Sequence, residues 1–363
     1  MKIKLLAILI LSAIVAVSCS DAPKEGRRVK KKPTLLTPAS SGNPYEVMVV
    51  ADDSVWNGYA GKALQVVLDK PLRGLPQDEP QFHKSHVEER HYDRVTHLFR
   101  NIFRIEIRND YTRAKMSYER DVHSMPQIIV TLCAPSQLDA SVYITEHTKD
   151  IESLFTSEEI NRQANDLYFE HNIKFAKAVK EMFDCDFYIP ADLMKMKVGD
   201  NFIWASNDGV STIQNVCIYS LPYVSEKMFT KKPYMALRDT VMKKNIPGAK
   251  PNMWMQTNHE FVWTKNISVQ GEYAMEARGL WEMRNDAMGG PFVSHSRIDK
   301  KNGRVIVVEA FVYAPEKMKR TMIRRLEAAL YTLETPKVEE AEDKARDTEN
   351  GKGADDKGKN EMK

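Results

Sequence analysis

Two kinds of hydrophobic pattern alternate along the body of the chain. Short apolar or alternating runs at residues 46–52, 104–108 and 127–133 predict strands. Residues 201–205 and 215–219 flank a turn near Asp208-Gly209, as in a hairpin. Further strands are predicted around Met253, Phe261, Ala274, Val293 and Ile306. With the helices below, this pattern predicts an α+β fold with mixed, mainly antiparallel sheets and a few packed amphipathic helices.

Apolar residues at spacings of three and four predict the helices. One follows the first strand and ends near Leu68, and another covers residues 225–244. The longest helical signal begins after Ser136, breaks near Phe155 and resumes at a capping box formed by Thr156 and Glu159. That second helix is expected to end at Asp184. The last helix has an apolar face between residues 318 and 333, and its basic face is expected to be solvated through Lys319, Arg320, Arg324 and Arg325.

The longest apolar run lies at the start of the chain, where residues 5–17 follow Lys2 and Lys4. Its length suits the apolar region of an export signal, and it is too short for a membrane span of about 20 residues. The run leads into Ala16-Val17-Ser18-Cys19, which resembles the lipobox of bacterial lipoproteins. That resemblance implies cleavage before Cys19, a diacylglycerol on its thiol and acylation of the new amine. An ordinary secretory signal with a chance cysteine is the alternative.

Composition divides the rest of the chain into three parts. Residues 19–44 hold several prolines and a basic run of five cations within residues 27–32 (Arg27, Arg28, Lys30, Lys31 and Lys32), which predicts a flexible basic linker. These cations either contact anionic headgroups or keep the linker open. Residues 45–335 form the body, as one large domain or as two halves with a boundary near 185–195. Residues 336–363 are charged with almost no apolar residue, which predicts a disordered tail.

Charge and cysteine content narrow the chemistry further. The net charge of +3 gives no strong preference for a partner, and nucleic acid is not expected for an exported protein. Beyond Cys19 the chain has Cys133, Cys185 and Cys217, an odd number, so at least one should be free; whether any disulfide forms stays open. Their spacing matches no zinc or redox motif, so neither a metal nor another cofactor is predicted.

Sequence motifs for catalysis are missing from the chain. It has no Gly-x-Ser-x-Gly elbow, no phosphate-binding loop and no His-Glu-x-x-His helix. The nearest approach to a metal motif is the group His83, His86, Glu88, Glu89 and His91. In a strand His83 and His86 would point to opposite faces, and in a helix His91 would point elsewhere, so a structural role is favoured.

The most unusual composition lies at residues 277–292. The runs Arg278-Gly279-Leu280-Trp281 and Met288-Gly289-Gly290-Pro291-Phe292 resemble an uncharacterised lipoprotein family of Bacteroidetes, the domain of unknown function four eight three seven. The resemblance extends over residues 42–333. It implies an exported lipoprotein and supplies no activity.

This segment also supplies the candidate binding residues Arg278, Trp281, Glu282, Gly289 and Gly290. Glycine followed by Pro291 predicts a tight turn between strands. In a strand, Arg278 and Glu282 share one face and are close enough for a water or ligand to bridge them, while Trp281 lies on the other face. The alternative is a structural turn, a core tryptophan and a surface ion pair.

Two classes of function follow from these observations. The favoured one is a non-enzymatic envelope protein, tied to the lipid bilayer through acylated Cys19, that binds an envelope protein, glycan or lipid through its body. The alternative is a hydrolase of glycan or peptidoglycan using scattered carboxylates such as Asp52, Asp53, Asp239 and Glu282. The residues after Cys19 become basic, whereas surface-exposed lipoproteins of that phylum tend to carry acidic residues there, so a periplasm-facing protein is expected.

Overall fold

The chain folds around two β-sheets, and the structure, a computed structural model, describes residues 37–337. The predicted signal, Cys19, most of the linker and most of the tail therefore lie outside the described residues. Within residues 37–337 the strands are β1 (Glu46–Val50), β2 (His83–Val87), β3 (Asn101–Ile107), β4 (Lys115–Arg120), β5 (Ile128–Ala134), β6 (Lys195–Gly199), β7 (Phe202–Ser206), β8 (Ile213–Pro222), β9 (Met255–Val269), β10 (Glu272–Met283), β11 (Gly289–Asp299) and β12 (Arg304–Tyr313). The helices are α1 (Asp53–Trp56), α2 (Tyr59–Asp69), α3 (Gln137–Glu146), α4 (Thr148–Phe169), α5 (Ile173–Phe183), α6 (Lys231–Asn245) and α7 (Arg320–Leu330).

The first sheet is mostly parallel. Its strand order is β2-β1-β3-β5-β4, and only β4 runs antiparallel to its neighbour. Parallel neighbours need long crossover connections. Helix α2 makes the crossover from β1 to β2, and α3 and α4 pack on the same face, where Val49, Phe103 and Phe155 belong to one buried cluster. The connection from β2 to β3 covers the other face through Tyr92 and Phe99.

The second sheet is entirely antiparallel, with the order β6-β7-β8-β12-β11-β10-β9. Helices α5 and α7 cover one face, where Val308 packs among Phe175 and Leu326. Helix α6 covers the other face, where Phe311 packs with Tyr234. Both faces of the central strands are therefore buried, and a charged residue on either face has to find its partner inside the protein.

The predicted α+β class is confirmed. Antiparallel pairs predominate, since the parallel pairs are confined to the first sheet. The predicted strands at residues 46–52, 104–108 and 127–133 correspond to β1, β3 and β5, and the hairpin corresponds to β7 and β8. The predicted strands around Met253 and Phe261 are a single strand, β9.

The predicted break near Phe155 is wrong. Helix α4 runs through it, because the Glu159 carboxylate is held in the interior by Arg100 and Asn101 and does not cap a helix. The chain breaks instead at His147, between α3 and α4, and again between α4 and α5, where the Asn172 side chain accepts a hydrogen bond from the amide of Phe175. The predicted end at Asp184 is confirmed, since Asp184 takes a left-handed conformation after α5.

The basic face of α7 is not solvated as predicted. Lys319, Arg320 and Arg324 are buried against the first part of the chain, whereas Arg325 is partly exposed and pairs with Asp192. The buried Glu79 carboxylate accepts the backbone N–H groups of Lys319 at 2.6 Å and Arg320 at 2.8 Å, and the Arg324 guanidinium lies over the ring of Tyr45 at 5.0 Å. This face is polar because it forms the joint between the two sheets and their helices. No helix within residues 37–337 is long and apolar enough to cross a bilayer.

Candidate functional site

The structure separates the two residues expected to share a ligand, Arg278 and Glu282. Strand alternation places them on one face as predicted, but that face is covered by α7, and Arg278 is buried. The Arg278 guanidinium bonds to Glu276 at 2.7 Å and to Glu327 on α7. Glu282 is held instead by Gln256 and Asn258. The expected surface ion pair is wrong, because the partners of Arg278 lie in the core.

Arg278 is the centre of a buried charge cluster. Glu327 also bonds to Arg324 at 3.0 Å, and the ring of His295 lies 3.9 Å from Glu276. Burial opposes ionisation of Glu276, but Arg278, His295 and Lys265 together outweigh it and hold the pKa of this carboxyl well below its usual range. The cluster has two arginines and two carboxylates in direct contact, so its charges are compensated within the fold.

Trp281 lies in the core on the opposite face of β10. It is 3% exposed, and its indole N–H donates to the Val312 carbonyl at 3.2 Å. Its ring packs edge-on against Phe311 with 5.9 Å between centroids. Trp281 therefore has the structural role that the alternative interpretation gave it.

Gly289 and Gly290 do not form the predicted turn. They begin β11 and pair with Glu282 and Trp281, while the turn itself lies at residues 284–288 with Asn285 at positive φ. A Cβ at residue 290 would lie 2.0 Å from the Val312 carbonyl oxygen. This glycine is needed for close packing of adjacent strands rather than for its backbone freedom.

The four carboxylates proposed for hydrolysis are not gathered in one place. Asp52 and Asp53 follow β1 in the first sheet, whereas Asp239 and Glu282 belong to the second. Asp239 lies on α6 and is bonded to His259 at 2.8 Å and to Thr257 at 2.6 Å. Thr257 and Glu282 sit on opposite faces of the second sheet, so Asp239 and Glu282 are not paired.

The structure does bring together a different set, at the carboxyl ends of β1 and β2. A depression of about 380 Å³ is lined by Asp53, His86, Val87, Glu88, His91 and Thr96. Asp53 comes from the segment after β1, and the other residues come from β2 and its connection to β3. We call this the carboxyl-edge pocket. Three members of the predicted histidine and glutamate group lie in it, whereas His83 lies at the exposed start of β2.

His86 forms a fixed wall of the carboxyl-edge pocket. Its ring stacks on Trp56 with 4.9 Å between centroids and an angle of 9° between planes. Its Nε2 lies 2.8 Å from the carbonyl oxygen of Ala51. A carbonyl can only accept, so Nε2 carries the proton, and Nδ1 is an acceptor when the ring is neutral. Nδ1 lies 3.8 Å from Asp53.

The remaining acidic groups give the pocket an excess of acceptors. Glu88 contacts His91 at 3.9 Å and also pairs with Arg90, whose side chain is mostly exposed. The Thr96 hydroxyl is bound by the backbone of Asp93. Asp53, Glu88 and Nδ1 of His86 therefore present oxygen and nitrogen acceptors to a ligand that supplies donors.

A second polar group lies next to the pocket along β3 and β5. Arg104 bonds to Glu89 at 2.6 Å and to Glu106 at 3.1 Å, and Tyr111 donates to Glu106 at 3.1 Å. Hydrogen bonding to Cys133, together with burial and Glu106, raises the pKa of Tyr111 to about 12. Apart from Glu89, nothing in the sequence singled out these residues, because Glu106 and Cys133 become neighbours only through the pairing of β3 with β5.

The described part of the chain contains neither a metal-binding group of side chains nor a disulfide. Across residues 37–337 no group of three or more histidine, cysteine, aspartate or glutamate side chains is arranged to hold a metal ion. Cys133, Cys185 and Cys217 are free thiols, and burial raises the pKa of Cys185 to about 12.

Comparison with known families divides the chain at the same place as the structure. Residues 172–332 match the model of a domain of unknown function, DUF4837. This part of the chain is similar to the DUF4837 family. Residues 40–168 match a different domain of unknown function, DUF8532. The expected family is thus confirmed for the second sheet and its helices, and the carboxyl-edge pocket lies in the DUF8532 part. A search of curated proteins gave no match.

Proposed function

We propose that the protein is a lipid-anchored lipoprotein of the bacterial envelope that binds a glycan at the carboxyl-edge pocket. The observation that carries the ligand site is the convergence of Asp53, His86 and Glu88 at the carboxyl ends of neighbouring parallel strands. Ligands of open α/β sheets bind at this edge, close to the point where successive connections leave on opposite faces. Here the connection after β1 covers one face and the connection after β2 covers the other.

The chemistry of the pocket favours a ligand rich in hydroxyl or amide donors. Its acceptors are two carboxylates and one imidazole nitrogen, and the stacked rings of His86 and Trp56 hold the imidazole in place. Sugar hydroxyls can donate to all three groups. Glycan cleavage is the second candidate, because Asp53 and Glu88 line one pocket and hydrolysis needs two carboxyl groups.

Replacing both carboxylates should abolish most of this binding. In a chain that begins at residue 20, Asp53→Asn with Glu88→Gln is expected to weaken binding of soluble peptidoglycan fragments at least tenfold, measured by titration calorimetry. Glu146→Gln, at the exposed end of α3, removes one acid without touching the pocket and should bind as the unchanged chain does. Equal affinity of the double variant and the unchanged chain would rule out the pocket. Shorter products from the same fragments would favour the hydrolase.

Anchoring rests on Cys19, which lies outside the described residues. The short cationic start, the apolar run and the small residues before Cys19 support an export signal and lipid attachment. Two or more acyl chains hold a protein stably on a membrane, whereas one chain binds marginally. We place the body on the periplasmic side, since basic residues outnumber the two acids, Asp21 and Glu25, in the segment after the anchor.

Cys19→Ser should abolish lipid attachment and leave the fold unchanged. Cells grown with a palmitate analogue are expected to label the unchanged protein and not the serine variant. Cys133→Ser is the matched control, because it removes a free thiol from the body and should keep its label. Continued labelling of the Cys19 variant would exclude the lipobox.

A further inference from the structure

A cationic corner lies where the end of α6 meets the turn between β10 and β11. The Lys243 ammonium is 4.3 Å and the Arg284 guanidinium 4.7 Å from the centre of the Trp254 ring. Lys250 belongs to the loop that joins α6 to β9, and all three cations are exposed. An aromatic face attracts a cation, so the indole holds two positive charges close together.

The backbone of this corner is fixed. The Arg284 amide donates to the Trp254 carbonyl at 2.9 Å, and the Asn285 side chain donates to the Asn252 carbonyl at 3.0 Å. Pro247 pairs with Trp254 as an isolated bridge. The three cations therefore project from two segments that hold each other, so little order has to be gained when a ligand binds.

These cations have no acidic partner in the part of the chain that the structure describes. Of the nearby acids, Asp200 pairs with Lys244 and Glu282 is held by Gln256 and Asn258. Asp286 is exposed in the same turn and forms no ion pair among residues 37–337. The Trp254 indole N–H likewise has no acceptor within residues 37–337. Arg278 forms ion pairs with two carboxylates, whereas the cations of the corner form none, so the positive charge of the corner is not neutralised by the protein.

We propose that this corner binds the phosphate group of an anionic phospholipid, so that the body rests on the bilayer to which it is anchored. Arginine donates two parallel hydrogen bonds to a phosphate, and tryptophan is enriched at the boundary between headgroups and water. The cations over the indole leave little of it for stacking on a sugar, so phosphate suits the corner better. The proximity of the bilayer rests on the proposed lipid anchor.

The test uses vesicles and a chain without lipid, so its outcome is independent of acylation at Cys19. Chains begin at residue 20, with the six basic linker residues changed to glutamine because they would bind anionic lipid by themselves (Lys24, Arg27, Arg28, Lys30, Lys31 and Lys32). Sedimentation with phosphatidylglycerol-containing vesicles should weaken about fivefold for each charge removed in Lys243→Gln with Arg284→Gln. Lys231→Gln with Lys232→Gln is the matched control, since these exposed residues begin the same helix about 18 Å away.

Three results would overturn the proposal. The first is equal loss of binding in the two double variants, which would mean that only net charge matters. The second is equal binding to vesicles of phosphatidylcholine alone. The third is quenching of tryptophan fluorescence by inorganic phosphate without any binding to vesicles, which would assign the corner to free phosphate. Circular dichroism of each variant confirms that binding is compared between folded proteins.

Discussion

Arg278→Ala is expected to destabilise the protein by about 3–5 kcal/mol, because it leaves charged groups buried without a partner. Arg278 is the direct counterion of Glu276 and contacts Glu327, and both carboxylates are buried. Urea denaturation of the purified body would measure the change in the free energy of unfolding. Arg113→Ala, which removes an exposed arginine from the loop before β4, should change it by less than about 0.5 kcal/mol.

The same variant should change how stability depends on pH. The pKa of Glu276 is held well below its ordinary value of 4.5, so the unchanged protein has this stabilisation in full above that value and loses it as pH falls towards the lower folded pKa. Without Arg278, burial favours the protonated acid, so the loss of stability in acid should shrink or reverse. A nearly neutral Arg278→Ala with an unchanged pH profile would contradict the buried cluster.

Trp281→Ala should cost about 3–5 kcal/mol through lost burial and the cavity left behind. The side chain is 3% exposed and packs with Phe311, and its N–H bond to Val312 is lost as well. Trp263→Ala on the neighbouring strand is the matched control, since that ring is 38% exposed and should cost far less. Thermal unfolding of both variants gives the comparison, and similar melting temperatures would show that Trp281 is not part of the core.

Strand alternation correctly predicted which residues of β10 share a face, but not what covers each face. Arg278 looked like a surface residue because its partner Glu327 lies 49 residues further along the chain. The burial of the basic face of α7 was not predicted for the same reason, since the contacts of this face are with residues 79–81 in the other half of the chain. Local periodicity identifies the elements, whereas the burial of a charge depends on how distant elements pack.

The candidate site shows the same limit. His86, Glu88 and His91 were visible as a group in the sequence, but a strand would separate His86 from His83 and a helix would point His91 elsewhere, which argued against a common site. The structure joins them to Asp53 because β1 and β2 are parallel and end at the same edge. Gly289 and Gly290 gave the opposite error: a pair of glycines before proline is typical of a turn, while here the glycine at 290 makes room for the Val312 carbonyl.

The bond between Glu79 and the start of α7 has a consequence for the order in which the protein can be completed. The carboxylate belongs to the loop before β2, and the two backbone N–H groups that donate to it lie about 240 residues later. A ribosome delivers Glu79 long before those amides exist. The Glu79 carboxylate therefore stays hydrated until almost the whole chain has been synthesised. It can be buried only when α7 is present to donate its two backbone N–H groups, so docking of this last helix is a late step in folding.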